Sequence, residues 1–187
     1  MVAPLSISTG IKQAAKYLIA VLGPLFLVLS DHGMAQSSSW LQPGEVEWRT
    51  EPLSAIDQQF MASQRQTVES LANKLGRSLS GTTQRDLDTL QLILDRKLIP
   101  QEDILSLQAL GVVLGDLLGD ELNMQWVVYR DRAGRSRALR YLSTDIFIFP
   151  VTLISRRWSV GSDKAVTTIY QDTVDATASR LPGASWR

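Results

Sequence analysis

Cysteine is absent from this chain of 187 residues, and histidine occurs once, as His32. Without a thiol there is no disulfide, no lipid-anchoring cysteine and no thiolate chemistry, so the core must supply the stability. Because His32 falls in a segment that reads as an export signal, the rest of the chain lacks imidazole as well. That pair of absences excludes Ser-His-Asp and Cys-His nucleophilic catalysis, and it excludes the His/Cys ligand sets of zinc. Carboxylates, tyrosines, lysines and arginines remain, and no metal and no cofactor is expected.

An excess of charge of either sign is also missing. The chain carries 19 basic and 19 acidic residues, so no global field draws it to nucleic acid or to an anionic membrane. Long apolar runs are scarce too. The one near the N-terminus, Tyr17 to Ser30, follows Lys12 and Lys16 and precedes the small-residue site Gly33-Met34-Ala35. Basic residues, apolar run and small residues in that order form a secretory signal peptide over residues 1–35, with cleavage expected after Ala35. An uncleaved membrane anchor is the competing reading, but a span needs about 20 apolar residues and this run is broken by Gly23-Pro24.

Residues 36–53, rich in Ser, Pro, Gln and Glu, read as an N-terminal arm whose Trp40 and Trp48 tuck onto the domain. A single domain is expected over residues 54–181, with a flexible tail at 182–187. Ser54 followed by Asp57 predicts a capped helix start, and Ile56, Phe60, Val68, Leu71 and Leu75 carry its apolar stripe to Gly76. A second helix is predicted from Thr82-Thr83 to Leu98, before Pro100.

The third helix, from about Glu102 to Leu122, organises the core in this reading. Gly111, Gly115 and Gly119 recur every fourth residue and share one side of it, flanked by Leu107, Leu110, Leu114, Leu118 and Leu122. Interior glycines cost about 1 kcal/mol each relative to alanine. Their recurrence therefore predicts that a backbone or an aromatic ring approaches this side closely.

Beyond Asn123 the period changes to that of strands. Gln125 to Arg130 and Arg135 to Tyr141 flank an Asp131-Arg132-Ala133-Gly134 turn and read as a hairpin. Trp126 to Tyr129 are apolar on both faces, as in a strand covered on both sides. Ile146 to Phe149 reads as a third strand. Pro150 either ends it or starts a short helix through Trp158. Ser162-Asp163 is expected to cap a last helix carrying Val166, Ile169, Tyr170 and Val174. The expected fold is α+β: three N-terminal helices packed on a small antiparallel sheet of about three strands, with a C-terminal helix.

Charge is balanced overall but segregated locally. Glu102, Asp103, Asp116, Asp120 and Glu121 have no basic residue among them, whereas Arg130, Arg132, Arg135, Arg137, Arg140, Arg156 and Arg157 follow with only Asp131 and Asp145 in opposition. Opposed neighbouring blocks predict that Asp116 or Asp120 pairs with Arg140, Arg156 or Arg157.

Three stretches, LQALGVVLGDLLGDEL, WVVYRDRAGRSRALR and IFPVTLISRR, resemble the bacterial family named domain of unknown function 3806. The similarity covers roughly Asp86 to Tyr170. It implies the domain boundaries and, since many members resemble exported or envelope proteins, an extracytoplasmic location. It implies no activity.

Two functional readings follow. In the first, the protein is a periplasmic or secreted binding module without catalysis, using Arg130, Arg140, Arg156, Arg157 and Trp158 on an arginine-rich sheet edge to hold an envelope protein or an anionic ligand. Nucleic acid is not expected, and membrane proximity follows only if the signal segment stays attached. In the second, Asp116 and Asp120, neighbours on one helix face, act with a tyrosine such as Tyr129 in a carboxylate-dependent hydrolase. The plainer alternative for the acidic pair is an ion pair or a solvated stripe. For the two arginines after Ser155 it is one structural and one solvated side chain.

Overall fold

The computed structural model describes residues 48–183. The expected signal segment 1–35, the expected arm up to residue 47 and the last four residues lie outside the described part.

Among the described residues the fold is α+β, with five helices and a four-stranded antiparallel sheet in the order β1-β2-β3-β4. The strands are β1 Arg49–Pro52, β2 Gln125–Asp131, β3 Gly134–Arg140 and β4 Phe147–Ile148; the helices are α1 Ala55–Lys74, α2 Thr83–Asp95, α3 Ile104–Leu122, α4 Ser155–Trp158 and α5 Val166–Ala178. Four strands rather than three form because Arg49–Pro52, expected in the arm, pairs with β2 in the register Arg49 opposite Arg130 and Pro52 opposite Val127. Four residues ending in proline carry too little pattern to be read as a strand. Only the neighbouring edge of β2 makes them one.

Ser54 caps α1 as expected. Its hydroxyl accepts from the Asp57 N–H, while Asp57 accepts from the Ser54 N–H. α2 ends at Asp95, earlier than expected, through a left-handed Lys97. Ser162-Asp163 does not cap α5, which begins at Val166. The free Val166 N–H is taken by Gln91 Oε1 of α2 at 2.8 Å, so a neighbouring helix does the capping. The Pro150 segment turns helical: a 3₁₀ turn over Pro150–Thr152 leads into α4.

α3 lies at the centre, with Leu107, Leu110, Leu114 and Leu118 fully buried. Its glycines are where the rest of the fold comes closest. A Cβ on Gly111 would lie 2.7 Å from the Pro150 carbonyl oxygen, and one on Gly115 would lie 2.7 Å from Trp126 Cη2. At Gly119 the nearest atom, the Met124 carbonyl oxygen, is at 3.2 Å. Both expected kinds of neighbour, backbone and aromatic ring, are thus present along one helix side. The sheet lays β2 and the Pro150 turn directly on it.

Strand alternation divides the sheet into two faces. Trp126, Val128 and Arg130 of β2 stand beside Leu139, Arg137 and Arg135 of β3 on the helix-packed face. Tyr129 points the other way, to a cluster in which its ring stacks on Trp48 at 6.1 Å and meets Phe147 and Phe149 edge-on at 5.0 and 5.2 Å. Ala138, opposite Val127 on the same face, is fully buried. Both faces of β2 are therefore apolar for different reasons: α3 covers one, and a satellite aromatic cluster covers the other.

Candidate functional site

The hairpin arginines converge on α1 and not on the acidic helix. Asp57 is 1% exposed; its carboxylate accepts from Arg135 Nη2 and from Arg137 Nε at 3.1 Å, and Arg137 Nη2 forms an ion-pair contact with it at 2.9 Å. It also accepts from the Ser54 hydroxyl at 2.6 Å. The guanidinium of Arg135 and the Ser54 donors hold the Asp57 carboxyl well below the usual carboxylate range despite its burial. The same pairing raises Arg135. Arg137 also lies 4.0 Å over the Phe60 ring. One carboxylate therefore fixes the first turn of α1 and two guanidinium groups of β3.

These two arginines border a cleft of about 420 Å³ between β3 and the turn after Pro150. Arg135, Arg137 and Arg156 line it, with Gln108, Thr152 and Phe149. Arg156 is exposed, and among the described residues it joins no ion pair. The cleft thus combines held cationic forks, a free one, polar side chains and one aromatic wall.

The remaining expected site residues are dispersed. Arg130 donates to Glu51 Oε1 at 3.1 Å, which lowers the Glu51 pKa, and it lines a second cleft at the hairpin tip. Arg140 is structural: it donates to the carbonyls of Thr144 and Ser143 and to the Thr50 hydroxyl. Its guanidinium lies about 5.4 Å from the Trp48 ring and 5.5 Å from the Phe147 ring. Arg157 donates to the Leu153 carbonyl within its own turn. Trp158 lines a separate cleft with Lys97 and Ile99.

The expected pairing of the acidic helix with the hairpin is overturned. Asp116 is held by Arg65 of α1 through two hydrogen bonds of 2.7 and 2.8 Å, and it accepts from Trp126 Nε1 at 3.0 Å. α1 packs along α3 on the side that Asp116 faces, so a helix 51 residues earlier in sequence supplies the cation. Asp120 is exposed. Tyr129 stands on the far face of the sheet, and burial raises its pKa. Asp116, Asp120 and Tyr129 therefore share no site. Among the described residues no group of three or more potential metal ligands occurs, and no helix is long and apolar enough to cross a membrane.

Fold and site together describe an α+β domain built on a glycine-faced helix, with an arginine-bearing hairpin locked to its first helix. Residues 86–170 match the model of the domain of unknown function DUF3806. The matched segment begins at Asp86 and omits β1 and α1, hence both Asp57 and Arg65. A crystal structure from Bacteroides thetaiotaomicron VPI-5482 is similar in fold, with a TM-score of 0.62 at 19% identity over 73% of this chain. The chain spans 51% of that protein's length. No curated protein matches the sequence.

Proposed function

We propose that the domain is an extracytoplasmic binding module without catalysis, which takes an oxyanion in the cleft between β3 and the Pro150 turn. The observation that carries this reading is the placement of Arg135, Arg137 and Arg156 around one cavity, with the first two oriented by the buried Asp57. Guanidinium forks match carboxylate and phosphate geometry, and forks already held in place lose less freedom on binding. The order of basic residues, apolar run and small residues in 1–35 supports export.

Calorimetric titration of the protein with inorganic phosphate and with citrate tests the reading. Binding of at least one is expected, weakened about tenfold or more by Arg156→Gln with the melting temperature unchanged. If neither anion binds, or if Arg156→Gln leaves binding intact, the cleft is not an anion site.

A further inference from the structure

Arg135 lines two clefts, not one. The second, about 540 Å³ at the hairpin tip, is bordered by Trp48, Arg49, Arg130, Arg132 and Arg135. Six arginines thus border the pair of clefts. Three acids stand against them: Asp57 is buried beneath β3, Asp131 lines the tip cleft with its Oδ1 accepting from the turn N–H groups of Ala133 and Gly134, and Glu51 offsets Arg130 and Arg49. Arg132 and Arg156, one in each cleft, join no ion pair among the described residues. Trp48 walls one cleft and Phe149 the other; the Tyr129 ring, on the opposite sheet face, packs against both rings and lines neither cleft.

We infer that the two clefts form one track across the hairpin for a linear polymer bearing repeated oxyanions, phosphate or carboxylate. The inference rests on the anion reading above and adds to it the dimension of length. A small anion fills one cleft. A chain long enough to reach from Arg156 past Arg135 to Arg132 engages both, and the second engagement is intramolecular, so affinity rises without any new kind of contact.

The test is a length series of polyphosphate, from triphosphate to chains of tens of units. Binding to the full chain is measured by competition at fixed salt and expressed per phosphate group, so that merely having more groups gives no gain. Affinity is expected to rise by about tenfold or more across the series. Arg132→Gln should abolish the rise while leaving triphosphate binding intact, and Arg156→Gln should weaken both. Polygalacturonate oligomers provide the carboxylate arm; a length gain there that also needs Arg132 supports the track and assigns it to an acidic polysaccharide. Triphosphate binding with no gain in either series overturns the track and leaves the single-cleft reading standing. No binding by any member overturns both. Single-stranded DNA bound more tightly than either polymer at equal charge overturns the assignment to base-free chains.

Discussion

Asp57 and Arg137 lie 80 residues apart in sequence, yet the carboxylate that closes the first turn of α1 receives a hydrogen bond from that guanidinium and an ion-pair contact from its Nη2. Arg135 reaches the same carboxylate from two residues away on the same strand face. The hairpin is therefore tied to the helix end at a site shielded from water, where an unpaired carboxylate is costly.

Replacing Asp57 removes this tie. Asp57→Asn loses a capping acceptor and the charge-assisted bonds to both arginines, and a stability loss of about 2 to 4 kcal/mol is expected by urea denaturation. Arg135 and Arg137 are partly exposed and regain water, which limits the cost. A loss below about 0.5 kcal/mol would show that the hairpin is held by its apolar packing instead.

The same residue sets an acid dependence. The folded-state pKa of Asp57 lies below its unfolded value of about 3.9. Its contribution is therefore fully present above that value and is lost as pH falls below about 4. Glu51 shifts in the same direction. Melting temperature should fall steeply from about pH 4 downward, with a shallower decline in Asp57→Asn. Parallel curves for the two proteins would remove Asp57 from the explanation.

The glycine side of α3 predicts an order of sensitivity. Gly115→Ala places a methyl group inside the Trp126 ring position, and that ring is anchored by its bond to Asp116. A loss of about 1 to 3 kcal/mol is expected. Gly119→Ala meets its nearest atom at 3.2 Å and should be much milder, because the gain in helix propensity offsets a small displacement. Stabilisation by Gly115→Ala would mean that the ring moves aside freely.

Arg65 and Asp116 are each about one-third exposed, at 40% and 31%, so their coupling should be no more than about 1 kcal/mol. A double-mutant cycle on Arg65→Gln and Asp116→Asn should show that coupling, while a cycle on Asp116→Asn and Arg157→Gln should be additive. Coupling in the second cycle instead of the first would contradict the placement of α1 along α3.

Export is checked separately by mass spectrometry of the fractionated protein, with a mature terminus at Gln36 in the extracytoplasmic fraction as the expected result. Recovery of the intact Met1 terminus from the cytoplasm would end the extracytoplasmic part of the proposal.

The sequence by itself determined the elements whose information is local. The stripe through Val68, Leu71 and Leu75, the Asp131 to Gly134 turn and the Gly111-Gly115-Gly119 row all follow from spacing and backbone freedom, and each has its counterpart in the fold; Ile56, read as the first member of that stripe, is exposed, and Met61 takes the buried side instead. Even the kind of neighbour at the glycines was legible, because an interior glycine persists only where something approaches closely. What tertiary structure alone decided is which charges meet. Adjacent opposed blocks suggested that Asp116 would find a hairpin arginine, but α1 lies along that side of α3 and supplies Arg65. The spacing of Arg135 and Arg137 placed both on one strand face, and Ser54 with Asp57 marked a cap; nothing local joined the two features. β1 and the Gln91 cap of α5 are of the same kind. Periodicity reports how a segment folds on itself. The partner of a side chain depends on how segments distant in sequence pack, and that information is spread over the whole core.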